Sequence, residues 1–132
     1  MTAWAQSLIR ISNYEVETLQ KRLAEIAERR RGGEMRIAVL DAEAEGERAR
    51  ARADTEAGMM LQAYLSGWKT RKAAAEGALE TLEAEEAGAR DALTGAFEEL
   101  KKFEHVAEKT RLNRLVELAK RETATFDEMG LR

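Results

Sequence analysis

Residues 61–107 read LQAYLSGWKTRKAAAEGALETLEAEEAGARDALTGAFEELKKFEHVA. Steps of four and three through this stretch meet Leu61, Leu65, Trp68, Lys72, Ala75, Leu79, Leu82, Glu86, Ala89, Leu93, Ala96, Leu100, Phe103 and Ala107 without a gap. A helix turns once in about 3.6 residues, so this spacing lays all of them along one side. One helix alone leaves such a stripe in water. It is buried only when a second helix covers it.

The chain carries a second stripe earlier, at Ile9, Ser12, Val16, Leu19, Leu23, Ile26, Arg30, Gly33, Ile37, Leu40 and Ala44. Continued at the same steps it reaches Glu47, Ala51, Asp54 and Gly58, with no large apolar residue. The segment 46–58, GERARARADTEAG, is the poorest stretch for a seam. The reversal therefore falls at about residues 51–56. Asp54 or Thr55 can supply a side-chain oxygen to cap the next helix, or Gly58 can relax the bend instead.

The prediction is one all-α domain over residues 1–132, built of two long helices as an antiparallel coiled-coil hairpin. Helix 1 spans about 2–50 and helix 2 about 55–128, so the arms are unequal. The last ~20 helical residues overrun the first arm. They carry Leu112, Leu115, Val116, Leu118 and Phe126. Apolar residues on an unpaired helix mark a docking surface. Arg30, Gly33, Lys72 and Glu86 are poor seam residues, and many others are alanine, so the coil is expected to be slender and of moderate stability.

Composition agrees. The 132 residues contain no proline, which leaves the helices uninterrupted, and no cysteine, which fits a reducing compartment. Charged residues make up 36% against 5% aromatics, the balance of long helices. A net charge of −3 argues against nucleic acid as partner. No segment has the ~20 apolar residues that span a bilayer, and the start lacks a secretory pattern. A cytoplasmic protein is expected, near a membrane only through its partners.

No catalytic set is present, and neither cofactor nor metal is expected. His105 is the sole histidine, and no glutamate stands three residues before it as di-iron bundles require. Gly67-Trp68-Lys69-Thr70 lacks the upstream glycine spacing of a phosphate loop. Arg29-Arg30-Arg31 reads as a solvated face with one misplaced seam residue. Arg48, Arg50 and Arg52 lack the base-reading amides of a DNA-binding helix. Met59, Met60, Leu61, Tyr64, Leu65 and Trp68 either seal the bend or form a binding surface near the tip. Leu61, Leu65 and Trp68 take the seam, leaving Met60 and Tyr64 on other faces.

Leu8-Ile9-Arg10 with Glu17 to Glu28, then Ala96-Phe97-Glu98-Glu99-Leu100-Lys101-Lys102-Phe103-Glu104, then Phe126-Asp127-Glu128-Met129-Gly130-Leu131, resemble FliJ, the flagellar type III export family, above all its α-proteobacterial members. The resemblance implies a non-catalytic, stalk-like coiled coil at the base of the export apparatus. It implies three partners: the hexameric export ATPase FliI, the gate protein FlhA, and export chaperones whose recycling it assists. Carried onto this sequence, the ATPase ring is met by Ile9, Arg10, Tyr14, Arg111, Leu112, Arg114, Leu115 and Leu118. The gate is met near the tip by Met60, Tyr64 and Trp68. The Gly32-Gly33 pair departs from a stiff stalk. The competing reading is a homodimeric coiled-coil scaffold that pairs the same stripes between chains.

Overall fold

The computed structural model describes residues 3–130 and is all-α, with α1 at Ala3–Ala53 and α2 at Thr55–Glu128. The two long helices pack on one another and have 51 and 74 residues. No proline removes a donor from either, which permits runs of this length.

Reversal costs a single non-helical residue. The Asp54 amide still donates to the Arg50 carbonyl (3.0 Å), closing the last turn of α1. Its carbonyl accepts from the Gly58 amide (3.0 Å), opening α2. Its side-chain Oδ1 accepts from the Glu56 amide at 3.1 Å, so Asp54 is the N-cap. A Cβ on Gly58 would lie 3.3 Å from the Ala51 carbonyl oxygen, so a side chain there would crowd the backbone of the bend. At the other end Gly130 adopts φ +77° and its amide donates to the Asp127 carbonyl. That left-handed stop suits glycine.

The chain divides into two compact units, Met1–Gln20 with Ala92–Arg132, and Lys21–Asp91. In the first unit Val16, Ala96 and Leu100 form a buried cluster, against which Ile9, Leu19 and Leu93 pack. In the second, Ile26, Leu40, Ala44 and Ala89 are buried. There Arg30 faces Glu86, Asp41 faces Lys72 and Arg48 faces Trp68, so the two helices run antiparallel. Phase decides burial. Every seam position named from the spacing is buried or half-buried, whereas Ile11, Met35 and Val39, equally apolar but off the seam, are exposed.

The poor seam residues find one another. Arg30 Nε donates to Glu86 Oε2 at 2.6 Å, and Arg90 donates to Glu86 Oε1 at 3.0 Å. Arg30 also reaches Glu34 at 2.8 Å. Lys72 Nζ lies 3.0 Å from Asp41 Oδ1. Arg29 pairs with Glu85 and Arg31 with Glu28, so the arginine run is spent on ion pairs. Glu86 is held below the usual carboxylate range, first by the Arg30 hydrogen bond, with burial opposing and Arg90 assisting. The same contact with Glu86, then that with Glu34, raises Arg30.

Helix α1 passes through Gly32 and Gly33 unbroken. Gly33 makes room for Leu79, whose Cδ1 would stand 3.3 Å from an added Cβ; around Gly32 there is open space. Gly32→Ala should therefore raise stability by close to the full ~1 kcal/mol of helix propensity. Gly33→Ala should gain less, because Leu79 must give way. Urea melts of the two variants compare them directly, and a larger gain at Gly33 would contradict the packing.

Candidate partner-binding surfaces

The buried seam ends at Ala107, with Thr110 half-covered behind it. Every residue from 111 to 130 is exposed, still on one helix as far as Glu128. Leu112, Leu115, Val116 and Leu118 each show about half their surface to solvent, and Phe126 more. Missing coverage by α1 is only part of the cause. Continued at its own steps, the seam runs into Arg114, Glu117 and Arg121. Leu112, Leu115 and Val116 lie on roughly the opposite side of the helix. A longer α1 in the same register would not cover them.

Arg111 donates to both oxygens of Glu108, at 2.6 and 3.1 Å. This lowers the Glu108 carboxyl and raises the Arg111 guanidinium. The pair is exposed, so its gain is local helix support and not a folding determinant.

On α1, Arg10 and Tyr14 point to solvent as an interaction site requires, Tyr14 with 72% of its surface exposed. Ile9 does not. It is half-buried against the Val16 cluster, so it holds the seam and presents little surface of its own. Trp4 and Ile11 are exposed and share a side with Tyr14, and the site named from sequence omits both. Their seven-residue spacing off the seam phase was the available signal.

Near the bend the named residues divide. Met60 is 69% exposed. Tyr64, expected on an open face, is half-buried, and the Arg71 guanidinium lies 5.5 Å from its ring centre. Its ring lines a shallow open groove of about 480 Å³ with Glu47, Arg50, Asp54, Ala57 and Met60. Trp68, expected to be buried, is half-buried between two cations, Arg48 at 5.4 Å and Lys72 at 5.2 Å from the ring centre. Its buried Nε1 has no hydrogen-bond partner. Bend sealing and surface presentation are thus both at work in this cluster, on different residues.

Among the described residues no group of three His, Cys, Asp or Glu is placed to hold a metal ion, and no helix is long and apolar enough to cross a membrane.

The family model described as Flagellar FliJ protein matches residues 5–132. The chain belongs to the FliJ family. It is 54% identical to the flagellar FliJ protein of Caulobacter vibrioides in two strains, NA1000 / CB15N and ATCC 19089 / CB 15. Each alignment runs over 132 residues, 100% of this chain and 95% of the relative. No solved structure matches. The FliJ family resemblance drawn from both ends of the sequence is therefore correct, and it is to an α-proteobacterial relative.

Proposed function

We propose that this FliJ-family chain is a non-catalytic, stalk-like component of the flagellar type III export apparatus, working in the cytoplasm at its base. Its terminal end engages the export ATPase ring, FliI. The region near the bend engages the export gate protein, FlhA, and the chain assists recycling of export chaperones. The observation that carries the reading is the exposed helix 111–128, which keeps its apolar residues although nothing in the described chain covers them. Family membership supplies the setting.

At the terminal end Arg10, Tyr14, Arg111, Leu112, Arg114, Leu115 and Leu118 are the contact residues, with Ile9 behind them in the seam. Arg111 and Arg114 favour acidic loops on the ring. Near the bend Met60 is the open contact, while Tyr64 and Trp68 are half-buried and flanked by cations.

The test is capture of the ATPase and of the gate protein's cytoplasmic domain by the full chain. Replacing Leu112, Leu115 and Leu118 together by serine removes apolar contacts without touching the seam. ATPase capture should fall by at least about a hundredfold, the scale of losing a hot-spot cluster, with helicity kept. Undiminished capture removes this helix from the ring interface. Met60→Ala should weaken gate binding by roughly 1 kcal/mol and leave ATPase capture unchanged.

A further inference from the structure

We propose that residues 109–121 of α2 form a basic amphipathic face that lies on an anionic lipid surface. The segment KTRLNRLVELAKR holds five Lys or Arg against one Glu, with Arg111 paired to Glu108 just outside it, in a chain whose net charge is −3. Leu112, Leu115, Val116 and Ala119 fall within a sector of about 100° at helical spacing. Lys109 and Lys120 border one edge of that sector, and Arg111 with Leu118 the other. Arg114, Glu117 and Arg121 occupy the far side. Glu108 and Glu122, which fall on or beside the sector, bound the segment at its two ends.

All these side chains are exposed. The arrangement is that of a helix lying in a membrane interface: an apolar face enters the acyl boundary, and long basic side chains at its margins lift their charges to the headgroups. A coiled-coil partner needs one apolar residue at each step of three or four. Here Leu115 and Val116 share a step and Leu118 and Ala119 the next, a band suited to a flat surface more than to a second helix. The helix is too polar to cross a bilayer, and lying on one is the alternative its composition allows. Membrane contact is then direct and not only through partners. The proposal stands apart from ring binding, although Arg111, Leu112, Leu115 and Leu118 serve both, so the two occupants exclude each other.

The experiment is co-sedimentation of the full chain with vesicles of phosphatidylcholine, with and without phosphatidylglycerol. The expected result is binding to the anionic vesicles only, lost at about 0.5 M salt. Lys109→Gln/Lys120→Gln should weaken it roughly ten- to thirtyfold, and Leu115→Glu at least as much. Circular dichroism should show unchanged helicity, since all three sites are exposed. Neither lysine belongs to the proposed ring contact, so ATPase capture by the lysine variant should stay within about twofold. Equal binding to neutral and anionic vesicles overturns the proposal, as does wild-type affinity in the variants. Binding to poly-glutamate without binding to anionic vesicles also overturns it, assigning the face to an acidic protein. If the unmodified chain binds anionic vesicles as expected but fails to capture the ATPase, the ring reading falls and this one stands.

Discussion

Leu40→Ala should lower the stability of the helix pair by about 3 kcal/mol, within the 2–5 kcal/mol that buried leucines lose. Leu40 is 1% exposed and is the largest side chain wholly withdrawn from solvent among the described residues. Ala44, one turn on, and Ala75, on the facing helix, offer little bulk to fill the space left behind. The control is its neighbour. Val39 is equally apolar but 41% exposed. Val39→Ala loses little burial and gains helix propensity, so its effect should stay within about 0.5 kcal/mol. Urea unfolding followed by circular dichroism gives both values, read as a midpoint shift at constant slope. Similar losses at both positions would place the seam in the wrong phase.

The second large effect concerns register and not stability alone. The apolar layers of a heptad seam repeat, so they offer little resistance to sliding by a heptad. The Arg30–Glu86 pair does resist. A slip sets Arg30 against Leu79 or Leu93, and Glu86 against Leu23 or Ile37, which breaks the interhelical pair and leaves each charge only its neighbour on the same helix, Glu34 and Arg90. Glu86→Arg gathers three arginines at one layer, since Arg30 and Arg90 already meet there. Melting should fall by roughly 5–10 °C. Arg30→Leu/Glu86→Leu should behave differently. It replaces a polar layer with apolar contact, so the melting temperature should change by no more than about 3 °C. Its register should loosen, because the specifying pair is gone. Spin labels at Glu25 and Asp91, both exposed, report this. A second, longer distance population, from an axial slip of about 10 Å (one heptad of rise), is expected in the leucine variant only. A single unchanged distance would deny the pair its role.

The same pair sets a pH dependence. The folded Glu86 carboxyl is held below its ordinary value, so the unfolded chain takes up the proton first as the pH drops. The stabilisation is present above the ordinary carboxylate pKa, about 4, and is lost as pH falls through the lowered value. Glu108 is shifted in the same direction by Arg111. Melting temperature should therefore decline below about pH 4.5 and decline less steeply in Glu86→Gln. An unchanged slope in that variant assigns the acid sensitivity to Glu108 and other carboxylates.

Fold class and seam phase were legible in the chain because both follow from local periodicity. Spacing alone separates Leu40 from Val39. The cap at Asp54 was one of two candidates, and geometry chose it because its carbonyl and carboxylate both serve the first turn of α2. On the candidate surfaces, the exposure of Arg111, Leu112, Arg114, Leu115 and Leu118 could be foreseen from unequal arm lengths and, for Leu112 and Leu115, also follows from a phase opposite the seam. The placements of Ile9, Tyr64 and Trp68 could not, since the facing helix sets how far each is covered.

By itself, then, the sequence determined that two helices form, which side of each is buried, and that apolar residues outlast the first arm. Periodicity is a property of one helix, and arm length is a matter of counting. Only the tertiary structure decided what the misfit seam residues are for. Arg30, Lys72 and Glu86 are faults in a heptad read singly, and Gly33 is a weakness in α1. Across the interface they become two ion pairs and a recess for Leu79. A charge in a seam costs free energy or specifies register according to its neighbour on the other helix. That neighbour lies 56 residues from Arg30 along the chain and 31 from Asp41.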